Sequence, residues 1–189
     1  FKTIIFGGEK VSEAFIKRLR NITSAKLFNT YGPTETTISS NVKEFVTGNE
    51  PVSVGKPLTN YVEFIVDNDG NELPAGIIGE LYIGGYGVAR GYNNLDTLTE
   101  KQFREFKGVK VYKTGDLASW NNDGEIVIHG RIDKQIKLRG FRIDLEEIEN
   151  EQNTELINNI VHPAVGRDFL QSQYTWLESA IFFEAHFSR

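Results

Sequence analysis

The chain has no cysteine and no methionine among its 189 residues, and only three histidines. Without cysteine there is neither a disulfide framework nor a thiolate metal site. His129, His162 and His186 share no ligand spacing and are expected to be structural or solvated. No apolar run approaches the ~18 residues of a membrane-spanning helix, and no basic-then-apolar leader is legible, so the cytoplasm is the expected compartment. Basic charge is in deficit: 21 Lys and Arg against 26 Asp and Glu leave a net charge of −5. With an isoelectric point near 5.3, the chain has no electrostatic footprint for nucleic acid or an anionic membrane, and neither is an expected partner. Hydrophobic content of 39% and charge of 25% are ordinary for a folded globular chain. A chain without methionine that opens on the apolar run Phe1 to Phe6 is expected to be a fragment of a longer protein.

What is present concentrates in Asn29-Thr30-Tyr31-Gly32-Pro33-Thr34-Glu35-Thr36-Thr37-Ile38-Ser39. Pro33 sets φ and Gly32 tolerates conformations closed to other residues, so the backbone here is expected to be a tight turn. That turn carries an aromatic face (Tyr31), hydroxyls (Thr34, Thr36) and one acid (Glu35). Such a set suits a nucleotide: a ring to stack on a base, a hydroxyl for phosphate oxygen, a carboxylate for Mg²⁺. Read alone, a Gly-Pro stretch of this kind is more often a surface turn with polar trim.

Around it the pattern is mixed α/β. Lys2–Phe6 reads as a buried strand, Gly7-Gly8-Glu9 as a turn, and Ser12 as the cap of a helix with Phe15, Ile16 and Leu19 at helical spacing. Lys26–Asn29 is a second strand, giving a βαβ unit whose ligands are expected at the C-terminal strand ends. From Val62 the texture becomes all-β, with strands over Val62–Asp67, Glu80–Ile83, Val109–Lys113 and Glu125–His129 and a hairpin turn at Asn121–Gly124. A brief helix is expected over Thr99–Phe106. Asp144 with Glu147, and Asp168 with Gln171, have the spacing of helix caps, the second opening an amphipathic helix through Leu170, Tyr174, Leu177 and Ile181. The expected fold is a βαβ portion, a small barrel-like β subdomain, then a hinge and the helical start of a C-terminal subdomain. The expected divisions are residues 1–132 (1–60 α/β, 61–132 β) and 133–189.

Three further motifs follow the turn in order: Gly79–Tyr92, Tyr112-Lys113-Thr114-Gly115-Asp116-Leu117, and Gly130–Glu149. Together, from Phe1 to about Glu149, they resemble the amino-acid adenylation domains of nonribosomal peptide synthetases, within the adenylate-forming AMP-binding superfamily. The resemblance implies a ligase of antibiotic or secondary-metabolite biosynthesis. Such an enzyme activates an amino acid with ATP as the aminoacyl-AMP and passes it to a phosphopantetheine thiol on a peptidyl carrier domain of neighbouring synthetase modules. It implies Tyr31 against adenine, with Asn29 and Gly32 beside the nucleotide, Thr34 at phosphate and Glu35 on Mg²⁺, the last two being the catalytic pair. It implies Asp116 on the ribose hydroxyls, Arg131 at ribose or phosphate, and Asp133 as the hinge. It further implies a substrate pocket lined by Ile5, Gly7, Thr30, Ile38 and Ser39, and Lys137, Arg139 and Gly140 on the loop facing the pantetheine arm. Each has a plainer reading: Asp116 as a turn residue, Arg131 as a surface ion pair, Lys137 and Arg139 as a solvated hairpin.

The Gly84–Gly91 run is not a dinucleotide fingerprint, because Gly85-x-Gly87-x-x-x-Gly91 has the wrong spacing and no helix-forming stretch directly after it; it is read as structural. Departures from the resemblance are the missing phosphate loop and late catalytic lysine, Ile128 where relatives carry a ribose-side aromatic, and residues 166–189. A D-alanine–carrier-protein ligase, an acyl-CoA ligase, and a non-catalytic remnant that binds nucleotide or carrier protein are the alternative readings. The 189 residues alone are expected to be inactive.

Overall fold

In the computed structural model residues 1–133 are described in full, with 136–138 and 141–143 as backbone strands. Phe1–Asp133 fall within one compact unit. It opens with β1 (Thr3–Gly7), α1 (Glu13–Ile22) and β2 (Lys26–Tyr31). The Ser12 hydroxyl caps α1 by accepting the Phe15 N–H at 3.2 Å, as its sequence position predicts. β1 and β2 are parallel, with Thr3 opposite Lys26 and Gly7 opposite Thr30. β3 (Asn41–Phe45) runs antiparallel to β2, and β4 (Lys56–Pro57) closes a sheet of order β1-β2-β3-β4. Ile16 and Leu19 of α1 bury against Leu27 and Phe45, with Ile4 and Phe6 packed beside them. The expectation of a buried first strand needs correction. Among the described residues β1 pairs only with β2, and its other row, Thr3, Ile5 and Gly7, is exposed, Ile5 at 66%.

The second sheet is antiparallel: β5 (Tyr61–Val66), β6 (Gly79–Gly85), β7 (Phe103–Phe106), β8 (Val109–Trp120) and β9 (Ile126–Arg131), in the order β5-β6-β8-β7 with β9 on β8. β8 runs for 12 residues and serves three partners. Register shifts between Glu80 and Tyr82 and between Leu117 and Ala118 let this sheet curl. Ile65, Leu81, Ile83, Ala118 and Ile126 form its core, against which Tyr31 and Ile128 pack. The Asn121–Gly124 hairpin lies where expected, with the Asn121 side chain accepting the Asp123 and Glu125 N–H groups at 3.0 and 2.9 Å.

The helix expected over Thr99–Phe106 is shifted: α2 spans Asp96–Gln102, and Phe103–Phe106 is strand β7. Phe103 is buried against Tyr92 and Tyr112, and that aromatic burial on the sheet outweighs continuing the helix. Lys107 and Gly108, at φ 49° and 75°, then close the β7–β8 hairpin with the left-handed pair such a turn demands. β10 (Ile136–Leu138) and β11 (Phe141–Ile143) pair with each other. The helices expected after Asp144 and Asp168, with His162 and His186, lie outside the described residues.

Candidate functional site

β2 ends on Tyr31 and delivers the chain into a 3-10 turn, Thr34–Thr36, at the C-terminal end of the parallel pair. Gly32 is required here for space rather than for an unusual φ. A Cβ on it would lie 2.6 Å from the Ser40 nitrogen and 2.8 Å from the Ile38 carbonyl oxygen. The left-handed conformations fall instead on Thr37 and Ile38, at φ 59° and 70°. For a β-branched residue such as Ile38 that is strained, and surrounding contacts must hold it. Ser40 supplies one, its N–H reaching the Tyr31 carbonyl at 2.8 Å. Thr37 supplies another, its hydroxyl donating to the Gly87 carbonyl at 2.8 Å.

On this turn Glu35 is buried and Thr34 exposed. The Glu35 carboxylate accepts the Tyr92 hydroxyl at 2.6 Å, and its carbonyl accepts the Ala89 N–H at 2.8 Å. The Tyr61 hydroxyl donates to the Thr36 carbonyl at 2.7 Å. Burial, then the Glu35 hydrogen bond, pushes the Tyr92 hydroxyl well above its ordinary pKa, so it stays a donor.

Asp116, on β8 opposite Arg131 of β9, is also buried. The Tyr31 hydroxyl donates to one of its carboxylate oxygens, and Arg131 Nη1 donates to the other at 2.7 Å. Arg131 in turn grips Asp133 with Nε and Nη2, at 2.6 and 2.7 Å. Burial alone would lower the guanidinium pKa, but the hydrogen bonds Arg131 donates to Asp133 and the charges of Asp116 and Asp133 outweigh it and hold Arg131 above its ordinary value. Burial, then Asp116, raises Tyr31 likewise. The structure thus brings Tyr31, Asp116, Arg131 and Asp133 into one hydrogen-bonded row, linked through the backbone to Thr34 and Glu35. The Thr114-Gly115-Asp116 segment is not a free turn; it lies inside β8, with Gly115 at φ 71°.

The remaining candidates separate. Gly7 and Thr30 are register partners at the ends of β1 and β2, so close that a Cβ on Gly7 would meet the Thr30 hydroxyl at 2.6 Å. Ile5 lies on the exposed row of β1 with Gly7; Ile38 is 74% exposed, and Ser39 is half-buried. Asn29 points inward, its amide donating to the Ser53 carbonyl at 3.2 Å. Ile128 packs into the β-sheet core. Two residues escaped sequence reasoning. Tyr92 is separated from Glu35 by 57 positions. Glu63 sits in the buried row of β5, where Asn41 donates to Oε2 at 3.0 Å and Oε1 has no partner among the described residues. Burial, opposed by the Asn41 hydrogen bond, pushes its carboxyl up to about 7.

Residues 1–93 match the family model described as AMP-binding enzyme. The chain is 42% identical over 165 residues to bacitracin synthase 2 of Bacillus licheniformis, covering 85% of this chain and 6% of that protein. A solved nonribosomal peptide synthetase protein containing adenylation and carrier domains, bound to a vinylsulfonamide inhibitor, is similar at a TM-score of 0.74 and 30% identity, over 80% of this chain and 28% of that one. The Vibrio cholerae adenylation domain AlmE, in complex with glycyl-adenosine-5'-phosphate, is similar at a TM-score of 0.72 and 30% identity, over 78% and 29% respectively. The chain therefore spans under a third of these solved relatives and a small part of the synthase.

Proposed function

Taking the chain as a member of the AMP-binding enzyme family, of the nonribosomal-peptide-synthetase adenylation type, we propose that the protein carrying it joins an amino acid to AMP. In that reaction a carboxylate oxygen attacks the α-phosphorus of ATP and the bond to pyrophosphate breaks, leaving aminoacyl-AMP. A carrier-domain phosphopantetheine thiolate then attacks the acyl carbon and AMP leaves. Such chemistry needs positioning and charge stabilisation more than a nucleophilic side chain.

The observation that carries this reading is the row Tyr31–Asp116–Arg131, meeting the Thr34–Glu35 turn at the C-terminal ends of parallel strands. Among the described residues the Asp116 carboxylate accepts Tyr31 on one oxygen and Arg131 on the other, and a carboxylate oxygen with one such bond can still accept a ribose hydroxyl. Tyr31 offers its ring beside the adenine, Thr34 its exposed hydroxyl to phosphate, and Arg131 its fixed charge to ribose or phosphate. Among the described residues no group of three or more His, Cys, Asp or Glu gathers as a metal site. A single buried carboxylate, Glu35, fits a Mg²⁺ that arrives on the triphosphate, since such ions take one or two protein carboxylates and substrate oxygens. That ion would neutralise charge on the departing pyrophosphate. Gly7, Thr30, Ile5, Ile38 and Ser39 form part of the amino-acid pocket, and Asp133 the hinge before the carrier-facing segment.

The same reading gives no activity to the 189 residues alone, since the phosphate loop and late lysine that the resemblance calls for are not among them. ATP–pyrophosphate exchange in the full-length protein, screened across the twenty amino acids, tests the proposal. One or a few amino acids should drive exchange; none doing so refutes it.

A further inference from the structure

The run Gly85–Tyr92 does more than turn the chain. It grips the Thr34–Ile38 turn at three places: the Ala89 N–H on the Glu35 carbonyl, the Gly87 carbonyl under the Thr37 hydroxyl, and the Tyr92 hydroxyl on the Glu35 carboxylate. The first fixes the turn's backbone and the second the Thr37 side chain. The third fixes the side chain that matters, through an O–H···O contact of 2.6 Å, within the range of charge-assisted bonds.

Tyr92 is itself held on every side. Its N–H donates to the Thr99 hydroxyl at 2.9 Å, and that hydroxyl donates back to the Tyr92 carbonyl at 3.4 Å. Its ring lies edge-on to Phe103 at 5.5 Å, and Phe103 is buried on β7. The Tyr92 backbone is thus anchored to α2 and its ring to β7, and the side chain transmits that rigidity to the turn after β2. A turn strained at Thr37 and Ile38 has most to gain from such a brace.

We propose that Tyr92 is a positioning residue: it holds the Glu35 carboxylate in the orientation that meets the cation on the nucleotide's phosphates. This rests on the role proposed for Glu35. Partners that orient a ligand carboxylate typically change metal affinity by ~10–100-fold when removed. A role confined to stability would leave that affinity untouched.

The test uses the full-length protein, Mn²⁺ as a paramagnetic stand-in for Mg²⁺, and a non-hydrolysable ATP analogue, with bound Mn²⁺ read by electron paramagnetic resonance. Tyr92→Phe should weaken Mn²⁺ binding roughly 10-fold or more. In a Glu35→Gln background the same substitution should add nothing. Mn²⁺ affinity at the wild-type level in Tyr92→Phe, or effects of the two substitutions that simply add, would overturn the proposal. Should Tyr92→Phe fail to fold, Thr99→Val, which unpins Tyr92 but keeps its hydroxyl, should shift Mn²⁺ affinity the same way by a few-fold; no shift there overturns it equally. If the wild-type protein takes up no Mn²⁺ with the nucleotide, the role of Glu35 falls and this proposal with it. That outcome is distinct from a Tyr92 variant that matches a wild-type protein competent to bind.

Discussion

Replacing Glu63 with glutamine should make the protein more stable in mild alkali and leave it nearly unchanged in mild acid. Glu63 is 7% exposed, and its Oε1 has no hydrogen-bond partner among the described residues. Burial dominates, lifting the carboxyl from its ordinary 4.5 to about 7 against the opposing pull of Asn41. The folded state therefore holds a proton that the unfolded chain releases near pH 4.5. Stability linked to that proton is complete below pH 4.5 and is lost as pH rises through about 7. At about 1.4 kcal/mol per tenfold change in proton activity, the full loss is roughly 3 kcal/mol. Glutamine keeps the shape and the acceptor for Asn41 and never ionises. Its melting temperature should exceed that of wild type by roughly 6–12 °C at pH 8.5, taking about 2–4 °C per kcal/mol, and the two should converge near pH 4.5. Thermal melts monitored by circular dichroism across that range, with both proteins in the same background, decide it. A difference that does not change with pH, or a wild type that gains on the variant as pH rises, would refute the reasoning.

Further substitutions probe how the sheets are joined. Lys43→Met should cost about 3 kcal/mol in urea unfolding, because it strands the Glu125 carboxylate that Lys43 pairs with and Ser53 hydrogen-bonds, both pair members being largely buried. Lys43→Met with Glu125→Leu should recover most of that loss. Gly55→Ala should cost roughly 3 kcal/mol or more, since Gly55 sits at φ 83° and a Cβ there would lie 1.8 Å from the Val42 carbonyl oxygen. Gly70→Ala, at φ 87° with open space around it, should cost only about 1 kcal/mol by the same melt.

Periodicity and capping made α1, β2, β5, β6 and the β8–β9 hairpin legible, because each carries its apolar rows or turn residues locally. β3 escaped, since Asn41-Val42-Lys43-Glu44-Phe45 buries its two ends and leaves a polar middle, with no two-residue alternation to see. β7 escaped because Phe103 and Phe106 suit a helix face as well as a strand, and their burial against Tyr112 and Val109 depends on β8 folding beneath them. Glu63, a charged residue between Val62 and Phe64, carries no local sign of burial, yet it shares the buried face with Ile65, an arrangement stabilised across the sheets by Asn41. The candidate residues were legible as residue types, Tyr31, Thr34 and Glu35 around one turn and Asp116 and Arg131 further along the chain. Their partners were not: Tyr31 meeting Asp116 and Glu35 meeting Tyr92 span 85 and 57 positions, and nothing in local spacing encodes such contacts.

The proposed function stands or falls with Glu35 and Asp116 serving nucleotide chemistry rather than only the fold. Asp116 can be removed without orphaning Arg131, which keeps its paired bonds to Asp133. Amino-acid-dependent ATP–pyrophosphate exchange of Glu35→Ala and Asp116→Ala in the full-length protein, with melting temperatures recorded alongside, is the most direct measurement. Each variant should stay folded and lose ~10²-fold or more of the exchange rate, the scale on which a single charge-stabilising contact acts. Near wild-type exchange in either folded variant would contradict the account.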